Sequence, residues 1–240
     1  VDIPQACAGY VVGLMQSFML LEHMEGKKVL LCTGETFCRG NKEKQEPPYY
    51  RAPFGGDAAN ITIVENGGQD KICYEFHQDG TQRECLVIPD GAFRNPMTVE
   101  QIQNQIVRMP LTGVVMDGST VFNFAQKEVP ILVDSLTEMA ETTKEDIDWF
   151  LFHQPNKFML QKLAERIGVP FKKMPMDIVG KFGNSNSATI PTAITADLKE
   201  EMLNKESLCC LAGFGAGVAW AGIIMKMGNM DFCDTIISDL

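Results

Sequence analysis

Between Ala8 and Met24 nearly every position is apolar, whichever face of a helical wheel is considered. That pattern predicts a helix buried all round, stopping at Glu25-Gly26. Next, "KKVLLCTGE" is a short apolar run bracketed by charge and glycine, which predicts a buried strand. Residues 39–53, "RGNKEKQEPPYYRAP", are polar and hold a Pro-Pro pair, so they predict a surface loop. "ANITIVEN" predicts a second strand, with a turn at Gly67-Gly68. "KICYEFHQDG" and "RECLVIPDG" read as strands of a hairpin or an excursion.

From Asp117 the apolar period lengthens. "STVFNFAQKEVPILVDSLTEMAETT" predicts a long amphipathic helix, kinked at Pro130. "DIDWFLFHQPN" predicts a strand ending in a polar turn, and "NKFMLQKLAERIGV" a helix closed by Gly168. "GKFGNSNSA" is a loop rich in glycine and asparagine. A helix follows from about Ser187 to Lys205, with Pro191 tolerated in its first turn. "SLCCLAGFGAGVAWAGIIMKM" predicts two buried strands around a glycine-rich turn. Strands alternating with helices indicate an α/β protein.

Composition narrows this picture. A chain of 240 residues, 45% hydrophobic, can bury one sizeable core or two small ones. Its net charge of −10 argues against a general polyanion or nucleic-acid partner, although a local basic patch remains compatible. The 8 cysteines are Cys7, Cys32, Cys38, Cys73, Cys85, Cys209, Cys210 and Cys233. They form no C-x-x-C pair, and with 3 histidines no metal site is expected. A chain this long and rich in methionine is expected to keep reduced thiols, in the cytoplasm. The run Tyr10 to Leu21 follows Asp2, lacks a basic flank and contains Gln16 and Ser17. It is expected to be neither a signal peptide nor a membrane anchor.

Three polar residues stand where apolar elements end. Cys7 begins the buried helix, where the dipole and free N–H groups favour a thiolate. His153 ends "WFLFHQ", and Asn184 lies in "GNSNS". Taken singly these are an inert packed thiol, a structural histidine and a turn residue. Taken together, and with "GFGAG" letting backbone N–H groups approach a ligand, they form a set suited to acyl transfer. A thiolate takes an acyl group; histidine and asparagine donate to a developing oxyanion or enolate. Papain-like peptidases share the chain order, and the separation 153 − 7 = 146 is compatible with them. "QACAGYV" does not match their C-G-[SA]-C-[WY] segment.

Along nearly its whole length the chain resembles the β-ketoacyl-acyl carrier protein synthase III family of the thiolase-like superfamily. "DIPQACAGYVVGL" is similar to the family's nucleophile segment and "FGGDAANITIVE" to its F-G-D-G-A-x-A strand. "MDGSTVFNFAQKEVP" and "DWFLFHQPN" are similar to M-x-G-x-x-V-F-x-F-A-x-x-x-x-P and D-W-x-x-x-H-Q-x-N. "GKFGNSNSATIP" is similar to Y-G-N-T-S-A-A-S-I-P, and "GFGAGVAWAG" to G-F-G-x-G-x-x-W-G. The resemblance implies a layered α/β/α/β/α fold, with a partial N-terminal repeat over 1–110 and a complete C-terminal repeat over 111–240. It implies catalytic Cys7, His153 and Asn184, with the backbone N–H groups of Cys7 and Ala216 as the oxyanion hole. Gly118, Ser119 and Asn156 match positions lining the pantetheine tunnel.

The implied reaction is a decarboxylative condensation of acyl-CoA with malonyl-acyl carrier protein. It needs no metal or tightly bound cofactor. The implied partners are acyl-CoA, acyl carrier protein and a second copy of the assembled unit; no nucleic acid or membrane is implied. "NKFMLQKLAERIGVPFKK" is the candidate carrier dock, with Lys157, Lys162 and Arg166 foremost among its cations. Two departures, "GDAAN" at 56–60 and Ser119, bear on acyl preference. The family's nucleophile follows about a hundred residues, whereas Cys7 is the seventh residue here, so an N-terminal segment is expected to be missing. Two alternatives stay open: acyl transfer to another nucleophile, and an inactive part of a synthase that needs a partner segment.

Overall fold

The computed structural model describes residues 1–36, 55–68, 70–89, 93, 95–96, 98–100, 103 and 115–238. The loop expected over 39–53 lies outside the described residues. At the centre is a four-stranded sheet in the order β3-β8-β7-β6. Its members are β3 (Cys73–Gln78), β6 (Trp149–Phe152), β7 (Glu206–Gly215) and β8 (Ala219–Gly228). β6 runs parallel to β7, while β7–β8 and β3–β8 are antiparallel. Strand alternation sends Phe150, Phe152, Cys210 and Ala212 into one core and Leu151, Cys209 and Leu211 into the other. The adjacent cysteines therefore lie on opposite faces of one strand.

The first core is covered by α2 (Gly118–Met139) and α3 (Lys157–Ile167). α2 starts where the Asp117 carboxylate accepts from the N–H groups of Ser119 and Thr120, at 3.0 and 3.1 Å. Pro130 sits inside it without interrupting the helix. α3 starts at Asn156, whose side chain accepts from Met159 N–H at 2.8 Å, and ends at left-handed Gly168. The second core is covered by α1 (Gly9–Leu21), α5 (Thr189–Asp197) and α6 (Lys199–Asn204); α4 is the short helix Ile178–Phe182. Beyond α1 lies an antiparallel ribbon of β1 (Lys28–Thr36) and β2 (Asp57–Glu65). The layers are thus α/β/α/β, four of the five expected; the described residues do not form the fifth.

Three local expectations change. The ribbon is not buried: Leu31 and Val64 face α1, but Leu30 and Ile61 on the other face are 62% and 65% exposed. "RECLVIPDG" does not form a hairpin with β3. It makes part of a 3-10 turn, Gly80–Cys85, then β4 (Leu86–Val87), which pairs with β5 (Val115–Met116). The helix from 187 to 205 is two helices, because Leu198 leaves helical backbone (φ −124°) while burying its side chain.

Leu136 of α2 is fully buried, and a Cβ on Gly222 of β8 would come within 2.5 Å of its Cδ1. Leu136→Ala is expected to cost about 2–5 kcal/mol, against less than about 0.5 kcal/mol for Ile131→Ala on the exposed face. Urea unfolding midpoints of the two variants check this.

Candidate active site

β6 and β7 are parallel, so their C-terminal ends lie side by side. His153 follows β6 directly and continues its ladder, its N–H donating to Ala212 C=O at 2.8 Å. Onto these strand ends folds the single 3-10 turn Ala6–Ala8 that precedes α1. Ala6 is left-handed (φ 43°), which costs an L residue about 1–2 kcal/mol and presents Cys7 at a sharp bend. The bend meets strand β7 with no room to spare. A Cβ on Gly213 would lie 2.8 Å from the Cys7 carbonyl oxygen, and one on Gly215 2.9 Å from the Cys7 sulfur. The glycines expected to admit a ligand serve first to admit the Cys7 turn.

The third component is the loop after α4. Gly183, left-handed at φ 71°, passes so close to Gly55 that a Cβ would meet the Gly55 carbonyl oxygen at 2.1 Å. Gly56 N–H donates to Asn184 C=O at 3.0 Å, which ties the loop to the start of β2. The Asn184 side-chain oxygen accepts from Asn186 N–H at 2.9 Å. Asn186 is itself left-handed (φ 45°), and its side chain reaches the thiol: Cys7 S–H donates to Asn186 Oδ1 at 3.3 Å. The structure therefore puts Asn186, not Asn184, on the sulfur, and gives Asn184 the job of bending the loop that carries it.

His153 is 2% exposed. Its Nδ1 lies 2.8 Å from the Thr189 hydroxyl, which in turn lies 2.8 Å from Asn186 C=O and accepts from Gln154 N–H at 3.2 Å. The carbonyl can only accept, so the hydroxyl proton points to it and His153 Nδ1–H donates to Thr189 Oγ1. A neutral His153 then has a bare Nε2. Burial pushes its pKa down to about 3, with hydrogen bonding to the Asn186 backbone opposing, so the ring is neutral near pH 7.

The thiol is also held neutral. Burial pushes the Cys7 pKa up to about 12; the Glu35 carboxylate adds to the rise, and the N–H groups of Cys7 and Ala216 oppose it. This corrects the expectation of a thiolate favoured at a helix start. Cys7 sits in a 3-10 turn at 7% exposure, and desolvation outweighs the converging donors. Those two N–H groups both act on the Cys7 sulfur itself.

Glu35, Asn186 and Thr189 were missed by sequence reasoning. "GNSNS" offers two asparagines with no pattern to choose between them, and Glu35 looks like an ordinary strand-end charge. Gly118 and Ser119 lie exposed at the start of α2, and Asn156 caps α3. Among the described residues, none of their hydrogen bonds reaches Cys7, His153 or Asn186. The basic segment is more neutral than its composition suggests. Lys157 pairs with Asp177 at 2.6 Å, Lys162 with Glu165 at 2.7 Å, and Lys173 donates to the Glu145 and Ile147 carbonyls. Arg166 remains exposed. Among the described residues, no group of three or more His, Cys, Asp or Glu could hold a metal ion, and no helix is long and apolar enough to cross a membrane.

The sequence profile described as 3-oxoacyl-[acyl-carrier-protein (ACP)] synthase III C terminal matches residues 137–227. A beta-ketoacyl-[acyl-carrier-protein] synthase III from Synechocystis is 31% identical over 226 residues, covering 94% of this chain and 66% of that protein. The crystal structure of a 3-oxoacyl-(acyl-carrier protein) synthase from Burkholderia xenovorans matches with a TM-score of 0.81 at 30% identity, covering 97% of this chain and 65% of that one. A synthase III structure from Thermus thermophilus, 24% identical with a TM-score of 0.76, covers 94% of this chain and 67% of that one and shares the fold. This chain thus spans about two thirds of the length of these relatives.

The neutral His153 makes stability depend on pH. Its folded pKa lies below the unfolded value near 6.5, so between about pH 6.5 and about pH 3 the unfolded chain binds a proton the folded one refuses. Stability contributed by this group is complete above about pH 6.5 and falls on acidification, by at most about 1.4 kcal/mol per pH unit. Urea unfolding between about pH 7 and about pH 5 should show a shallower loss in His153→Gln than in the parent. Equal slopes would mean that the ring titrates normally in the folded protein.

Proposed function

Since the chain belongs to the β-ketoacyl-acyl carrier protein synthase III family, with its thiolase-like fold, we propose that it carries the acyl-transfer and condensation centre of such a synthase. The observation that supports this most is the placement of Cys7. Its sulfur lies against the end of β7, reached by the N–H groups of Cys7 and Ala216 and by the Asn186 side chain of the asparagine loop. An acyl-CoA is the proposed donor and malonyl-acyl carrier protein the acceptor, both encountered in the cytoplasm.

In the first half-reaction the Cys7 sulfur bonds to the thioester carbonyl carbon. The oxyanion forms against the N–H groups of Cys7 and Ala216, the bond to the CoA sulfur breaks, and the thiol proton leaves with CoA-SH. In the second, the malonyl carboxylate departs as carbon dioxide and leaves its electron pair as an enolate. The enolate carbon attacks acyl-Cys7, and the released Cys7 thiolate takes a proton from solvent. Acyl-S-CoA, malonyl thioester and one proton thus give the β-ketoacyl thioester, carbon dioxide and CoA-SH. No step calls on a metal or a bound cofactor.

Asn184 is the proposed donor to the enolate: its oxygen is occupied by Asn186 N–H, which turns its NH2 outward from that bond. His153 is proposed as the second group at this charge. Its bare Nε2 takes a proton from solvent as negative charge develops, donates to that charge, and returns the proton when the enolate has attacked acyl-Cys7. Gly118, Ser119 and Asn156 are proposed to border the pantetheine arm. Arg166 is the cation proposed to meet an acidic carrier, with Lys157 and Lys162 contributing only when their carboxylate partners yield.

The test is product formation from an acyl-CoA and a malonyl thioester, with released carbon dioxide measured beside β-ketoacyl product. His153→Ala and Asn184→Ala should each lower condensation by about 10²–10³ while sparing acyl transfer to Cys7. An acyl product without carbon dioxide release would assign the centre to acyl transfer onto another nucleophile.

A further inference from the structure

The turn that carries Cys7 and the turn that carries Ala216 are both bonded to a third element, the end of β3. β3 is an edge strand, separated from β7 by β8. Its ladder with β8 runs to the pair Gln78 and Ala219. One residue further, Asp79 N–H donates to Val218 C=O at 2.9 Å and Val218 N–H donates to Asp79 C=O at 3.2 Å. Val218 closes the turn 216–218 between β7 and β8. Beside it the Gln78 side chain donates from Nε2 to Gln5 Oε1 at 3.2 Å. Gln5 is where the Cys7 turn begins, its C=O accepting from Ala8 N–H at 3.0 Å. The corner itself is stiff. The Asp79 carboxylate accepts from Thr81 N–H at 2.9 Å, from the Thr81 hydroxyl at 2.6 Å and from Gln82 Nε2 at 2.8 Å. Just before it the His77 ring stacks on Trp220 of β8, with centroids 5.2 Å apart.

We propose that Gln78 and Asp79 are positioning residues for the acyl-transfer step, a clasp that holds the Cys7 turn and the Ala216 turn at one separation. The inference rests on the proposed function, in which the N–H groups of Cys7 and Ala216 receive one oxyanion. Those donors lie on separate stretches of chain, 209 residues apart (216 − 7 = 209). Gly215 limits how near the two stretches come, since a Cβ there would lie 2.9 Å from the Cys7 sulfur. A close contact limits approach but not separation. Hydrogen bonds from both stretches to a common third element limit separation. The Ala216 turn needs that anchor, because it is bracketed by Gly215 and by Gly217 at φ 137°, residues with little stiffness of their own. Misplacing a catalytic group by about 1 Å can cost about 10²-fold in rate, so a loosened anchor is felt at the reacting carbon.

The test compares two reactions of one sulfur. Acylation by a short-chain acyl-CoA passes through an oxyanion, whereas alkylation by iodoacetamide is a displacement that forms none. Asp79→Ala removes the three side-chain bonds that fix the corner. It should slow single-turnover acylation of Cys7 at saturating acyl-CoA by about tenfold, short of the about 10²–10³ that follows outright loss of a donor. Alkylation of Cys7, mapped by peptide mass with exposed Cys32 as internal reference, should stay within about twofold, since no oxyanion has to be met. The Val218 N–H, whose acceptor is Asp79 C=O, should exchange with deuterium about tenfold faster. Asp79→Asn keeps an acceptor for Thr81 and should restore acylation to within about threefold of the parent. Gln78→Leu removes the bond to Gln5 and should slow acylation by about threefold with alkylation unchanged, which keeps the test open if Asp79→Ala does not fold. Equal falls in acylation and alkylation would mean general loosening and overturn the clasp, as would unchanged acylation in the variants. A parent protein that takes no acyl group overturns the proposed function, and the clasp with it.

Discussion

The contact on which the site depends is the close approach of two strand glycines to the Cys7 turn. Strand β7 reaches the Cys7 turn at Gly213 and Gly215, where no side chain heavier than hydrogen fits. Because β7 is parallel to β6, His153, which follows β6, and Ala216, which follows β7, both stand past strand ends that point the same way. The second close approach, Gly183 against Gly55, brings the asparagine loop to the same place. Two glycine contacts, each with less room than a methyl group needs, thus assemble residues that are far apart in the chain.

Burial by these contacts decides the electrostatics. Cys7 and His153 are both neutral at rest, each displaced from its usual range chiefly by desolvation. A cysteine–histidine ion pair would need both groups to charge in a place that disfavours charge on either. In the proposed reaction, the N–H groups of Cys7 and Ala216 would attract an oxyanion more strongly in so buried a place than in water. The geometry fits chemistry in which charge appears only after substrate has entered.

Much of this was legible in the sequence, for a physical reason. Buried strands such as "WFLFHQ" and "SLCCLAGFG" are apolar on both faces because helices cover both, and caps such as Asp117 and Asn156 are local signals. Tertiary choices were not legible. Nothing in "KKVLLCTGE" says that one face lies open, because a ribbon covered on one side only still carries Leu30 and Ile61 on the other. Nothing in "GNSNS" says which asparagine meets the sulfur; that depends on the left-handed backbone of Asn186 and on the Cys7 turn, far away in the chain. The basic segment misleads for the same reason, since Asp177 and two backbone carbonyls reach its lysines only in the fold.

The central claim is that the Cys7 sulfur, though buried and protonated, is the atom that accepts the acyl group. Incubation with a short-chain acyl-CoA followed by peptide mapping tests it directly. One acyl group per chain should appear on the peptide bearing Cys7, and the Cys7→Ala protein should carry none. Acylation that persists in Cys7→Ala, or that maps to exposed Cys32 in the parent, would contradict the claim.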